Sequence, residues 1–240
     1  MAAGASVHNA AMADPASWHP IQPAHTVRAG AQPLAARLMG EDLVVWRSAA
    51  GVLQAWRAGC PHRGVHLALG RVVGERLACA YHGWEFEAGS GRCAAIPALA
   101  DLAGVPGQVQ AKRCAVQAWG GMVWVDLQAD SDPKGTAPPM PGTGTGDADP
   151  AWFARTLIVC ASQAKLHAHL RAGAFVAEAP AVWQGTLAGQ ALRLFTHPLQ
   201  AGLAGAHAWW CQAPAPDRVD AALAALRRLR RVCEAEALPC

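Results

Sequence analysis

No uninterrupted hydrophobic run in this sequence is long enough to cross a bilayer. The longest apolar stretch, around residues 172–192, is broken by Glu178, Pro180 and Gln184, whereas a membrane helix needs about 20 consecutive apolar residues. The N-terminal stretch MAAGASVHNAAMADPASW lacks a charged n-region and a continuous apolar segment, so no secretory signal is expected. Charge is scarce too. Only 15% of residues are charged, the net charge is +3, and the one local basic concentration is a C-terminal arginine group. Nothing here has the basic footprint of a nucleic-acid-binding protein. Internal repeats are absent. Eight cysteines in a leaderless chain read as reduced thiols and metal ligands rather than a disulfide framework. The expected location is the cytoplasm, with neither membrane nor nucleic acid as a partner.

What is present favours a folded chain. Hydrophobic residues make up 52% of 240 positions, and mean hydropathy is +0.13, enough apolar surface to bury a core. Much of that content is alanine. From about Trp18 to Leu127 short strands are punctuated by glycine. Leu43–Arg47 and Val52–Trp56 flank the turn Ser48–Gly51 as a hairpin, Leu77–Cys79 and Trp84–Phe86 flank a His82–Gly83 corner, and Gly121–Leu127 reads as a buried closing strand. Residues 128–150 turn to Pro, Gly, Asp and Thr and lose apolar periodicity, as a linker does. Beyond it, strands are expected near Thr156–Cys160 and Leu192–Thr196. Val219, Leu223, Leu226, Leu229 and Cys233 line one face of a helix over 217–237, with Asp217 and Asp220 suited to its start.

The chemistry is concentrated in two short segments. Cys60-Pro61-His62-Arg63-Gly64 is followed, after sixteen residues between His62 and Cys79, by Cys79-Ala80-Tyr81-His82-Gly83-Trp84. Each loop supplies one cysteine and one histidine. Four such ligands suit a [2Fe–2S] cluster with cysteines on one iron and histidines on the other, an arrangement whose lower negative charge raises the potential. Gly64 and Gly83 leave room for turns beside bulky ligands. The rival is zinc, which uses the same residue types but usually pairs C-x₂₋₄-C with H-x₃₋₅-H. Here every loop is mixed.

CPHRG and CAYHGWEF, followed by GRCAAIPA at residues 91–98, resemble the Rieske domain of aromatic-ring-hydroxylating oxygenase α subunits, in particular the O-demethylase and phenoxybenzoate-oxygenase-like branch. The resemblance begins near Trp18-His19-Pro20, runs through Leu38–Arg47 and ends at Leu127, about half of the chain. It implies a Rieske centre fed by a reductase or ferredoxin, a mononuclear Fe(II) beyond it, a hydrophobic aromatic substrate and, by analogy, a homotrimer. Respiratory Rieske proteins are similar but add a disulfide-forming cysteine to each cluster loop. Arg63–His66 and Ala80-Tyr81 contain none, and Cys93 and Cys114 lie outside both loops. The architecture expected is α+β: an all-β Rieske [2Fe–2S] domain at 1–127, a Pro/Gly-rich linker at 128–150, and a truncated, helix-grip-like α+β region at 151–240.

That last region departs from the resemblance. A mononuclear iron needs two histidines and a carboxylate, in the family an acidic residue three before one histidine and a second histidine four or five later. His167, His169, His197 and His207 follow Ala164, Leu166, Leu194 and Ala204 at that offset, and no pair has the spacing. A substitute is conceivable if Leu166–Leu170 is a strand, which would place His167 and His169 on one face, with Glu178 or Asp220 as carboxylate. The bland alternative is two surface histidines. Arg227, Arg228, Arg230 and Arg231 either attract an acidic electron donor or form a solvated helix face. Trp46, Trp56, Trp84 and Trp124 are expected in the core. Tyr81, the only tyrosine, either hydrogen-bonds near the cluster or packs.

Overall fold

The structure is a computed structural model of the chain and describes residues 17–99, 109–128, 152–173 and 175–235. Period-two hydrophobic patterning in the first half becomes β1 (Trp18–Pro23), β2 (Leu34–Leu38), β3 (Glu41–Arg47) and β4 (Leu53–Arg57). Short strands follow, β5 (Arg71–Val73), β6 (Arg76–Ala78), β7 (Glu85–Glu87) and β8 (Cys93–Ala95), then β9 (Arg113–Trp119) and β10 (Met122–Asp126). The long strands form one sheet in the order β1-β10-β9-β4-β3-β2 and the short ones a second, β5-β6-β7-β8. All pairings are antiparallel. The expected hairpin is β3–β4, with Leu43 opposite Arg57 and Arg47 opposite Leu53. Its turn passes through Gly51 at φ +86°, a conformation that a β-carbon would strain.

Both faces of the six-stranded sheet are covered. Leu43 and Val45 pack on one side with Ile21, Leu38, Val123 and Val125. Val44, Trp46 and Trp56 pack on the other with Leu77 and Phe86, beneath Cys60 and Cys79. Trp46 and Trp56 meet edge to face at 5.0 Å, a favoured aromatic geometry.

The second half contains β11 (Phe153–Val159), α1 (Gln163–Ala172), β12 (Phe175–Ala179), β13 (Val182–Leu187), β14 (Gln190–Gln200), β15 (Leu203–Trp210) and α2 (Pro216–Glu234). Its antiparallel sheet runs β11-β15-β14-β13-β12. Alternation along the strands gives the sheet two different faces. Leu192, Leu194, Ala206 and Ala208 meet α1 and α2 through Leu166, Leu170, Leu226 and Cys233. Phe195 and Trp209 point the other way and join Trp18, Met122 and Trp124 of the first half. The seam is further tied by Met39 N–H to Pro198 O at 2.9 Å and Gly40 N–H to Leu199 O at 2.7 Å.

Two readings change, and a third falls outside the described residues. The segment 166–170 is not a strand. It lies inside α1, which starts where Ser162 Oγ accepts from the Lys165 N–H at 3.2 Å and ends at Gly173. At 3.6 residues per turn, positions two apart point to different sides, so His167 and His169 do not share a face. Cys160 is disulfide-bonded, so the cysteines are not all reduced thiols. The linker expected at 128–150 lies, from residue 129 onward, outside the described residues. No described helix is long and apolar enough to cross a membrane.

Candidate metal centre

The two cysteine–histidine segments follow strands of the two different sheets and form matched turns. After β4, the Cys60 N–H donates to Val65 O at 2.9 Å, and the Gly64 N–H donates to Cys60 O at 2.8 Å. After β6, the Cys79 N–H donates to Trp84 O at 2.9 Å, and the Gly83 N–H donates to Cys79 O at 3.1 Å. The same five-residue span therefore closes both loops. Gly64 and Gly83 sit at φ +72° and +68°, and a β-carbon on Gly83 would also come within 2.9 Å of Pro97. The positive φ explains the glycine in each loop, and the close approach of Pro97 adds a second reason at Gly83.

The turns sort their side chains by chemistry. Both thiols are buried, Cys60 at 5% and Cys79 at 3% exposure, while His62 is partly and His82 fully exposed. The imidazoles lie 4.7 Å apart between centroids. Trp84 stacks on His62 at 4.2 Å and 10°, and Tyr81 stacks on His82 at 3.8 Å and 28°. Trp46, Trp56 and Trp124 are core, as expected, and partly buried Trp84 packs against that core while also stacking on His62. Tyr81 is exposed and acts through stacking.

Electrostatics point to a cationic occupant. Burial pushes the Cys60 thiol up to about 11, and the adjoining Cys79 adds to the rise. A bare Cys60 thiolate is therefore unfavourable, whereas a bound metal deprotonates a coordinating thiol outright. Burial, then His82 and Arg63, lower His62 and keep its ring in the neutral, metal-binding form. The donor set thus fits two irons with two protein ligands each.

The other sequence candidates do not converge. His167 is half-buried and shares a 2.8 Å hydrogen bond with Thr196 Oγ1. Glu178 is engaged by Arg193 at 2.8 Å, and Asp220 is exposed on α2. Among the described residues, no three His, Cys, Asp or Glu side chains gather around a single ion, the cluster loops included, where the four candidates divide two and two. A two-histidine, one-carboxylate iron site is not assembled there, and the pair His167 and His169 does not form one. Sequence reasoning passed over a different pair. His197 and His207, on β14 and β15, are buried with parallel rings 5.2 Å apart. Only the strand register brings them together, so spacing in the chain gave no signal.

Comparison with known proteins agrees with the loops. Residues 17–106 match the Rieske [2Fe–2S] domain, and a [2Fe–2S] cluster follows from that match. Over 92 residues the chain is 39% identical to oxidoreductase NdmD of Pseudomonas putida, covering 38% of this chain and 16% of that protein. Over 108 residues it is 37% identical to the 3-chlorobenzoate-3,4-dioxygenase oxygenase subunit of Comamonas testosteroni, covering 45% and 25%. The match thus spans a quarter or less of these two relatives. The fold resembles that of the Pseudomonas putida CBB5 NdmA QL mutant solved with theobromine, with a TM-score of 0.67 at 18% identity, over 91% of this chain and 81% of the other. The chain carries a Rieske [2Fe–2S] domain over residues 17–106 and is similar there to an oxidoreductase and an oxygenase subunit.

Proposed function

We propose that this chain is a one-electron oxidoreductase whose [2Fe–2S] cluster is held by Cys60 and Cys79 on one iron and His62 and His82 on the other. The observation that carries the reading is the pair of matched turns, which share one hydrogen-bond pattern and bring two buried thiols beneath two surface imidazoles. A cluster bound there supplies a one-electron acceptor at a higher potential than plant-type ferredoxins. The buried cysteines keep water from the sulfur side. Trp84 and Tyr81 hold the imidazole planes, and the histidine rims face the surface where a donor arrives. That donor is a reductase or ferredoxin in the cytoplasm, and exposed Arg227, Arg228 and Arg231 on α2 offer charge to an acidic one. The Rieske unit at 1–127 and the α+β unit at 151–240 are joined by the 128–150 linker.

By resemblance the electrons would serve oxygen chemistry on a hydrophobic aromatic substrate. A second reading is favoured by one observation: the described residues do not assemble a two-histidine, one-carboxylate site. On that reading the chain passes its electron to an acceptor elsewhere and holds no oxygen-activating iron of its own. Dithionite titration tests the shared core of both. The visible band should bleach with one electron per chain, and His82→Ala should abolish it. A chain with no redox-active band would overturn the proposal. Turnover separates the two: reduced protein given oxygen, excess Fe(II) and aromatic acids should oxidise without hydroxylated product on the second reading, and form product on the first.

A further inference from the structure

We propose that the buried stack of His197 and His207 is a pH-sensitive joint: in acid, His197 leaves the stack for the adjoining cleft and loosens the tether between the two halves of the chain. Strand register builds the pair. His197 lies opposite Gly205 and His207 opposite Phe195, so the two are diagonal neighbours on one face of β14–β15. Phe195, two residues from His197 and on the same face, packs with Trp18 and Trp124 of the first half. The rings lie parallel to within 4° at 5.2 Å between centroids and are 3% and 2% exposed.

The two rings are held unequally. His207 Nδ1 shares a 2.9 Å hydrogen bond with Thr156 Oγ1, and the Ile21 backbone also engages its ring. His197 Nδ1 is buried without a hydrogen-bond partner, and its ring rests against Gly205, where a β-carbon would come within 2.3 Å of it. His197 is therefore the member able to move. Both rings border a cleft of about 330 Å³ between the halves, which gives a displaced imidazole somewhere to go. The residues directly after His197 carry the tether itself. Pro198 O and Leu199 O accept from the Met39 and Gly40 N–H groups of the β2–β3 turn at 2.9 and 2.7 Å, so a shift at His197 bears on both bonds.

The surrounding charges keep a proton out of the closed stack. From β15 His197 faces His207, and from β1 it faces His19, which Asp126 adjoins. Across the cleft stand Arg37, Asp42 and His66, with Asp42 already paired to Arg37 at 2.8 Å. Burial, then His207 and His19, lower His197 well below its ordinary value. In the cleft the ring regains water and shares the space with Asp42, which its hydrogen bond from Arg37 holds below the usual carboxylate range and so keeps ionised. The closed joint is thus fully favoured above about pH 6.5 and loses ground as pH falls below it.

The test is hydrogen–deuterium exchange of the cluster-loaded chain, read at the Met39 and Gly40 amides and corrected for intrinsic rates. A histidine that titrates near about 6.5 only when released favours the open joint about thirtyfold more at about pH 5 than at about pH 7.5. Protection of both amides should fall by that factor, while the Trp46 and Trp56 amides inside the β3–β4 hairpin keep theirs. His197→Gln should abolish the pH dependence, and His207→Gln, which retains a partner for Thr156, should preserve it. Retention of the visible band reports that each variant is folded, and the wild-type measurement decides without them. Equal protection at both pH values, a fall shared with Trp46 and Trp56, or a fall that persists in His197→Gln would each overturn the joint.

Discussion

The two halves of this molecule are both antiparallel sheets, yet they carry their reactive side chains in opposite ways. The first half places Cys60, His62, Cys79 and His82 in glycine turns beyond the ends of β4 and β6, with thiols inward and imidazoles outward. The second half places His167 inside a helix and His197 and His207 within paired strands, all facing packed protein. A turn exports its side chains to a shared point with little demand on the rest of the fold. A strand or helix residue meets only what the register and packing bring to it. The first half therefore gathers its candidate ligands within a few loops, and the second has histidines whose surroundings depend on the seam.

The sharpest way to break this comparison is to remove one turn ligand. Cys79→Ser should abolish the visible band and the labile sulfide altogether, since the thiolate has no good replacement, while His169→Ala should change neither. Visible absorption and sulfide assay decide. A Cys79→Ser chain that kept its band would remove the distinction between the halves.

The next effect concerns the seam. Phe195 is 1% exposed and meets Trp124 edge to face at 6.1 Å. Phe195→Ala should cost about 3–5 kcal/mol, read by urea denaturation, and should unfold both halves together if the seam is a shared core. Two separate transitions would show that it is not.

Smaller again is the response to acid. Burial holds His167 and His207 at about 4 and also lowers His19 and His197. The unfolded chain takes up these protons near the ordinary value of about 6.5, and the native chain only lower. Stability is therefore complete above about pH 6.5 and falls as pH drops towards about 4. His167→Gln, which retains a partner for Thr196, should reduce that slope. An unchanged slope would show that the buried histidine is not a source of it.

Smallest is the cap of α1. Ser162→Ala should cost about 0.5–2 kcal/mol by the same denaturation assay, without any change in cluster content. A loss of cluster would mean that α1 acts on the first half after all.

Legibility in the sequence followed the same division. The two loops are legible as a candidate site because cysteine and histidine sit two and three residues apart and glycine marks each turn. The β3–β4 hairpin and α2 were readable because alternation and three- to four-residue spacing are local signals. The alternative of a strand at 166–170 fails for a physical reason: Ser162, the Leu166–Leu170 spacing and Gly173 together cap and pace a helix. The role of Trp84 was hidden because stacking on His62 depends on how one loop folds over another. The His197–His207 pair depends on β14–β15 register, and no sequence spacing records it.

Iron and acid-labile sulfide counting on anaerobically purified protein, with zinc measured in the same sample, tests the central claim most directly. A [2Fe–2S] cluster on Cys60, His62, Cys79 and His82 requires two irons and two sulfides per chain in a red-brown protein, with a midpoint in the lower part of the Rieske range of about −150 to +300 mV. A colourless chain without sulfide, holding one zinc that is lost on Cys60→Ser, would contradict it.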